Sequence, residues 1–248
     1  MVKKKNSPKP NDVPPETADP NPRRWESILA SAARLQELVP NSVLVGGTAA
    51  AHYAGHRESH DHDHVLGDLK NRFDEVLGVL ELTQGWATER VNRPVLILGS
   101  LDGVETGIRQ LIRQRPLEVE EVEIEGHRIR IPTLEEMVRV KAWLILRRNA
   151  TRDYLDFVAL ADRLGKQAAQ VALSLDDYYS DQIGPGGARV ATQLVKQLAE
   201  PAPYDLSEVD LKSYRRLLAR WQDWGNVAKQ CRGIATQMLG LVNQKGPP

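Results

Sequence analysis

The stretch "VGGTAAAHYAGHRESHDHDHV", Val45 to Val65, decides how this chain is read. It opens beside a glycine pair, holds five of the six histidines, and sets two aspartates one residue apart near its end. "SVLVGG" reads as a short strand closed by the glycines. "TAAAHYAG" reads as a brief helix with Thr48 near its start and Gly55 at its end. "RESHDHDHVL" alternates and reads as a second strand. Alternation sends Ser59, Asp61 and Asp63 to one face and His60, His62 and His64 to the other.

The two faces offer different chemistries. Carboxylates at Asp61 and Asp63 bring four oxygens toward a common point, which suits a hard cation such as Mg²⁺. Gly46 and Gly47 ahead of a helix allow close backbone approach and offer N–H groups to a phosphate. Thr48 adds a hydroxyl. Together these features point to phosphoryl or nucleotidyl transfer. Three imidazoles on one strand face are the alternative, a transition-metal site. The outer two would lie about 13 Å apart at roughly 3.3 Å rise per residue, so a shared ion needs strong curvature. Histidines packed on the far side of the sheet are the favoured reading. His52 and His56, four apart, share a helix face and could line a pocket entrance. D-x-D alone is common on solvated strands. The whole string, G-G-T-A followed by R-x-S-x-D-x-D, raises the signal.

Outward from this stretch, the chain reads as an ordinary globular sequence. Its 248 residues suffice for one large domain or two small ones. Lys plus Arg equals Asp plus Glu at 33 each, so nucleic-acid contact would have to come from local patches. A single cysteine, Cys231, excludes an intramolecular disulfide framework and suits a reducing cytosol. No apolar run approaches the roughly 18 residues of a membrane span, and the basic amino terminus lacks a secretory h-region. A soluble, cytoplasmic protein without membrane contact is expected. Residues 1–23 carry six prolines and few large apolar side chains, and are expected to be disordered.

Apolar spacing predicts a helix from Trp25 to Leu38, another over 69–84, and a strand at "RPVLIL". Helix and strand in alternation up to residue 98 indicate a mixed α and β core. "LEVEEVEIEGHRIRIP" predicts a hairpin turning at Glu125-Gly126, with a bulge at Glu120-Glu121 and cross-strand pairing of glutamates with Arg128 and Arg130. Beyond residue 132 the pattern is helical. Thr133 and Glu136 form a candidate capping box, and helices follow to Arg148 and from Thr151 to Leu164. A closing helix is expected from Ser207 to Leu241, with Leu217, Trp221 and Trp224 as core.

"GGTAAAHYAGHRESHDHDH" resembles the motif G-G-[T/S]-A…R-x-S-x-D-x-D of the AbiEii/MenT-type nucleotidyltransferase toxins, of the polymerase-β-like superfamily. "PTLEEMVRVKAWLILRRNATRDYLDFVAL" is similar to that family's second signature, a lysine followed by R-D-x-x-D on the next helix. The resemblance covers residues 25–165. It implies an α+β fold: a nucleotidyltransferase core with a small mixed sheet over 24–132 and a helical carboxy-terminal domain over 133–248. It also implies transfer from NTP to the 3′ end of tRNA, Mg²⁺ or Mn²⁺ as cofactor, and a cognate antitoxin as partner. Gly46, Gly47 and Thr48 would then hold the triphosphate, with Arg57 and Ser59 of the same motif beside them. Asp61 and Asp63 would ligate metal, Lys141 would contact phosphates, and Asp156 would sit beside it.

The second block has its own physical reading. Lys141 lies in the apolar run "VRVKAWLIL", where an ammonium is costly to bury without an anion. Asp156 or a triphosphate could supply one, and a plain Lys141–Asp156 ion pair is the simpler account. Arg152 and Asp153 read as helix-start residues that pair locally, within reach of the pocket. A two-metal mechanism wants a third carboxylate from the next core strand. "RPVLIL" holds none, so Asp102 is the nearest metal-ligand candidate, ahead of Glu105 and the remote Glu123. Asp102 also suits an ordinary turn. Arg109 and Arg113 are expected at i, i+4 on a helix face, meeting acceptor phosphates or nearby glutamates. Two other readings stand beside tRNA modification. One is a degenerate member that binds nucleotide or a partner without turnover. The other is a transferase acting on a protein or small molecule.

Overall fold

Helix α1 (Pro22–Leu38) opens the part of the chain that the computed structural model describes, residues 22–244. The expected amino-terminal tail lies largely outside the described residues, and α1 begins at Pro22, inside the expected span. After α1 come β1 (Val43–Val45), α2 (Gly46–Ala54), β2 (His62–Leu66) and α3 (Leu69–Glu81). Strands β3 (Trp86–Asn92), β4 (Leu96–Leu101) and β5 (Val104–Gln110) complete a five-stranded sheet in the order β1-β2-β5-β4-β3. Only β2 and β5 pair in parallel; the other neighbours are antiparallel. The mixed sheet and its helices make the α+β fold expected from the sequence.

The sheet buries one face against α1 and α3. Leu35, Leu66, Leu69, Phe73, Leu80, Ile97, Leu101 and Ile108 form that core. Each such side chain, fully buried, contributes about 1.5–3 kcal/mol relative to exposure. Apolar positions three and four apart in "LKNRFDEVLGVLE" put Leu69, Phe73, Val76, Leu77 and Leu80 on one stripe of α3. The opposite face of the sheet carries Asp63.

A separate hairpin, β6 (Val119–Ile124) with β7 (His127–Pro132), turns at Glu125 and Gly126, both at positive φ. Glu121 pairs with Arg128 and Arg130 across it, as expected. Its register runs without interruption past Glu120 and Glu121, so the expected bulge is absent. The irregularity in register lies in β3, between Thr88 and Arg90.

Helices α4 (Leu134–Arg148) and α5 (Thr151–Leu164) match their expected bounds. The Thr133 side chain accepts a hydrogen bond from Glu136 N, but the Glu136 carboxylate turns inward to Arg113 and Arg139. After these come α6 (Ala168–Leu173), α7 (Leu175–Tyr179), α8 (Val190–Ala199) and α9 (Trp224–Gln244). The expected closing helix therefore starts later than Ser207. Residues 207–223 form an irregular strap instead, and Leu217 and Trp221 are buried within it. The helical part packs on α2 and β7 through a second core that includes Leu29, Ala50, Ile131, Tyr154 and Phe157. No helix among the described residues is long and apolar enough to cross a membrane.

Candidate functional site

Strand β1 passes directly into α2 at Gly46. Gly46 takes φ +76°, and a Cβ there would stand 3.4 Å from Asp63 Oδ2. A Cβ on Gly47 would lie 2.7 Å from Ser59 Oγ and 2.8 Å from Arg57 Nη2. Any larger residue would displace one or both groups. No side chain caps α2, so its first N–H groups remain available to an anion. Gly46 and Gly47 line a cavity of about 420 Å³, together with Arg57, Ser59, Asp61, Asp63 and Lys141.

Only residues from His62 onward are strand; "RESHD" is a loop, and the predicted alternation of faces breaks at His60, which lines the cavity with Ser59 and Asp61. Ser59 Oγ donates to Asp61 Oδ1 at 2.9 Å. Burial pushes the Asp63 carboxyl above its ordinary value, against the pull of Arg109. Thr48 is not the phosphate ligand that the resemblance implies. It is buried, and its hydroxyl donates to Asp61 O at 2.5 Å. Thr48 therefore fixes the backbone of the acidic loop.

His62 and His64 are fully buried on the reverse side. His62 Nε2 lies 3.0 Å from Ser31 Oγ, and its Nδ1 lies 3.0 Å from Thr106 Oγ1. Burial lowers the His62 imidazole to about 4 and holds His64 well below its ordinary value. Both are neutral core residues. His56 does not line the cavity entrance: it is buried beyond the end of α2. Its Nε2 donates to Asp156 at 2.8 Å.

Asp156 is the centre of a buried ion cluster. Arg57 Nε and Nη2 reach its two oxygens at 2.7 and 3.0 Å, and Lys141 Nζ reaches Oδ2 at 2.7 Å. Burial alone would raise this carboxyl, yet Arg57, Lys141 and His56 together hold it well below the ordinary carboxylate range. Much of the hydrogen-bonding capacity of Arg57 is therefore committed within the protein. The simple Lys141–Asp156 pair forms, and Lys141 still borders the cavity.

The unsatisfied acid is Asp153. It is 1% exposed and lines the cavity, and neither of its oxygens has a hydrogen-bond partner. Lys141 Nζ stands 4.0 Å away, and burial raises the carboxyl above its ordinary value. Its position in R-D-x-x-D is the available signal; of the two expectations for it, local pairing and reach into the pocket, the second is the one seen. Ser213, Tyr214 and Arg215 of the strap form another wall, which sequence reasoning missed. Glu58 N donates to Arg215 O at 2.9 Å, and Leu218 N donates to His56 O at 2.9 Å. These bonds bind the strap to the loop that carries Asp61.

Asp102 lies apart from the site. It occupies the β4–β5 turn at φ 53°, and its carboxylate pairs with Arg34 of α1. Glu123 lies in β6, away from the cavity lining. The strand beside β2 is β5 rather than β4, and it contributes Glu105 to the lining. Arg113 is not on a helix. It is buried, reaches Glu136 Oε1 at 2.6 Å, and faces the Tyr178 and Tyr179 rings. Among the described residues no group of three or more His, Cys, Asp or Glu is arranged to hold a metal ion. Asp61 and Asp63 on one cavity wall are a donor set for one hard cation that also takes ligand oxygens.

No family model matches the chain. It is 40% identical over 226 residues to the heme uptake protein MmpL11 of Mycobacterium tuberculosis H37Rv, covering 86% of this chain and 22% of that protein. It is 36% identical over 129 residues to the mycolic acid-containing lipids exporter MmpL11 of Mycolicibacterium smegmatis, covering 51% of this chain and 13% of that one. The chain thus spans about a fifth or less of the length of these curated relatives. Among solved structures it is similar to MenT4, a nucleotidyltransferase toxin of M. tuberculosis H37Rv. The TM-score is 0.55 at 17% identity, over 87% of this chain and 84% of that one. A putative nucleotidyltransferase from H. pylori gives a TM-score of 0.54 at 16% identity, over 93% and 100% of the two chains. JHP933 from Helicobacter pylori gives 0.51 at 18%, over 89% and 93%. At such identities the shared property is the fold, which is that of the nucleotidyltransferases and includes a MenT-type toxin.

Proposed function

We propose that this chain, which has the nucleotidyltransferase fold seen in MenT4, is a divalent-metal-dependent enzyme that transfers a nucleotidyl group from NTP to the 3′ end of tRNA. The observation that carries the reading is the convergence of Asp61 and Asp63 with the open N-terminus of α2 on one cavity. A toxin acting in the cytosol and restrained by an antitoxin is the corresponding physiological role. The heme uptake named for the M. tuberculosis MmpL11 protein bears on this chain only through the 22% of that protein's length it spans.

Asp61 and Asp63 would hold the cation, which when bound supplies Lewis-acid charge on the triphosphate. The N–H groups of Gly46 and Gly47 would receive phosphate oxygens. Lys141, anchored on Asp156, presents a positive edge to the same cavity. In the transfer, the acceptor hydroxyl oxygen bonds to the α-phosphorus. The bond from that phosphorus to the bridging oxygen breaks, and its electron pair leaves with pyrophosphate. The hydroxyl proton passes to a carboxylate of the site. Asp153, raised by burial and lacking a hydrogen-bond partner, is suited to take it.

The test is incubation with Mg²⁺, each α-labelled NTP in turn, and total tRNA, read on a denaturing gel. Label on tRNA that disappears in Asp63→Ala is expected. Label confined to protein or a small molecule would redirect the reading to another acceptor. A second reading, nucleotide binding without turnover, draws on the absence, among the described residues, of three acidic, histidine or cysteine side chains arranged to hold a metal ion. It predicts Mg-NTP binding with no labelled product on any acceptor.

A further inference from the structure

Strand β5 lies parallel to β2 and shares its cavity-facing side. Gly107 stands opposite Asp63, and Arg109 stands opposite Val65. A Cβ on Gly107 would be 3.4 Å from Asp63 Oδ1, so an acidic side chain at this position would start beside the Asp63 carboxylate. Glycine supplies none. Two positions on, Arg109 lines the cavity and its Nε approaches Asp63 Oδ1 to 3.8 Å. The place beside Asp63 where a further acid could share a second cation is thus edged by a guanidinium.

We infer that Arg109 is a fixed cation standing in for a second metal ion, so that the site takes a single divalent ion on Asp61 and Asp63. This rests on the reading of the cavity as an Mg-NTP site. Arg109 already offsets part of the charge that the carboxylates and a triphosphate would present beside Asp63. A second ion beside Asp63 would be repelled by Arg109 and would find no side chain at Gly107 to ligate it; Glu105, the acid of β5 that lines the cavity, stands on the other side of Gly107 from Arg109. An arginine is suited to the substitution. Its charge is permanent, and its planar fork can grip two phosphate oxygens at once. In the transfer described above, Arg109 meets the β- and γ-phosphate oxygens as negative charge passes to the leaving pyrophosphate. Unlike the guanidinium of Arg57, that of Arg109 is not locked into the Asp156 cluster.

The proposal is tested by counting ions rather than turnover. Mn²⁺ binding is followed by loss of the free-ion EPR signal, with an α,β-methylene NTP present. Nucleotide binding is measured in parallel with a fluorescent analogue. Wild type is expected to bind one Mn²⁺ per chain. Arg109→Glu, which puts a carboxylate in place of the guanidinium, is expected to bind two. Arg109→Ala is expected to keep one ion while its nucleotide affinity falls tenfold or more. The Arg109 side chain is 40% exposed, so these variants should fold, and circular dichroism checks that they do. Nucleotide bound with two Mn²⁺ in wild type overturns the inference and leaves the nucleotide site standing. One ion in Arg109→Glu, or undiminished nucleotide affinity in Arg109→Ala, also overturns it. No nucleotide binding by wild type overturns both the inference and the reading beneath it.

Discussion

Replacing Asp153 by asparagine should stabilise the protein while impairing it. The carboxylate is 1% exposed and both its oxygens lack hydrogen-bond partners, so its charge is held at a cost. An unsatisfied buried polar group costs about 1–3 kcal/mol, more when charged. Lys141 Nζ at 4.0 Å offsets part of this, yet burial prevails, because the carboxyl is raised rather than lowered. Asparagine keeps the shape and removes the charge, at the expense of a neutral amide that is also poorly paired. A net gain of about 1–2 kcal/mol corresponds to roughly 2–8 °C in Tm for a chain of this size. The sign with pH follows from the raised carboxyl. The folded state binds the proton more tightly than the unfolded state, so wild type loses stability as pH rises from the ordinary carboxylate value through the raised one. The advantage of Asn should therefore be complete at pH 7.5 and shrink toward pH 4. Thermal melts between pH 4.5 and 8 measure it, and transfer to tRNA should fall about 10²-fold or more in the same variant. A melt at pH 7.5 that is unchanged or lower would refute the reasoning. It would mean that Lys141 and its neighbours stabilise the carboxylate after all.

Asp156→Ala should do the reverse. It strips the buried partner from Arg57 and Lys141, a loss of about 3–5 kcal/mol, visible as a fall in denaturant midpoint or as insolubility. Because the Asp156 carboxyl is lowered, that contribution is present above the ordinary carboxylate value and disappears only in stronger acid. His62, lowered to about 4, should make wild-type stability rise from pH 4 to 6.5 by about 1.4 kcal/mol per unit. A chemical melt of His62→Gln should show a flatter acid limb, with Mn²⁺ affinity unchanged. Gly47→Ala should cost about 1–3 kcal/mol of strain at Ser59 and Arg57 and weaken nucleotide binding, read by fluorescence titration of a folded variant.

Local pattern made much of this architecture legible. The Gly46-Gly47 turn, the split of Asp61 and Asp63 from His62 and His64, the hairpin at Glu125-Gly126 and the bounds of α4 and α5 all follow from periods of two and 3.6 or from turn chemistry. What escaped was set by distant pairing. Parallel pairing makes β5 the neighbour of β2, and no period in "VETGIRQ" announces that register, so spacing alone puts Arg109 on a helix and takes "RPVLIL" as the neighbouring strand. Asp102 looked available until Arg34 arrived from α1. Asp153 and Asp156 sit three apart on one helix face. Which of them is locked among cations depends on where His56 and Arg57 end up. The strap carries no motif at all: its contacts with the acidic loop are two backbone hydrogen bonds, the pairing of Arg215 and Arg216 with Glu58, and Tyr214 under Arg57, none of which has a sequence period.

Those backbone bonds have a consequence for synthesis. The loop leading to Asp61 is synthesised well before Arg215 and Leu218, the residues to which its backbone is fastened. Long-range closure of this kind comes late in folding. A growing chain would carry both aspartates with one cavity wall missing, and would acquire its finished mouth only once the strap has emerged. Chains halted before residue 213 should fold around the sheet core yet fail to retain nucleotide.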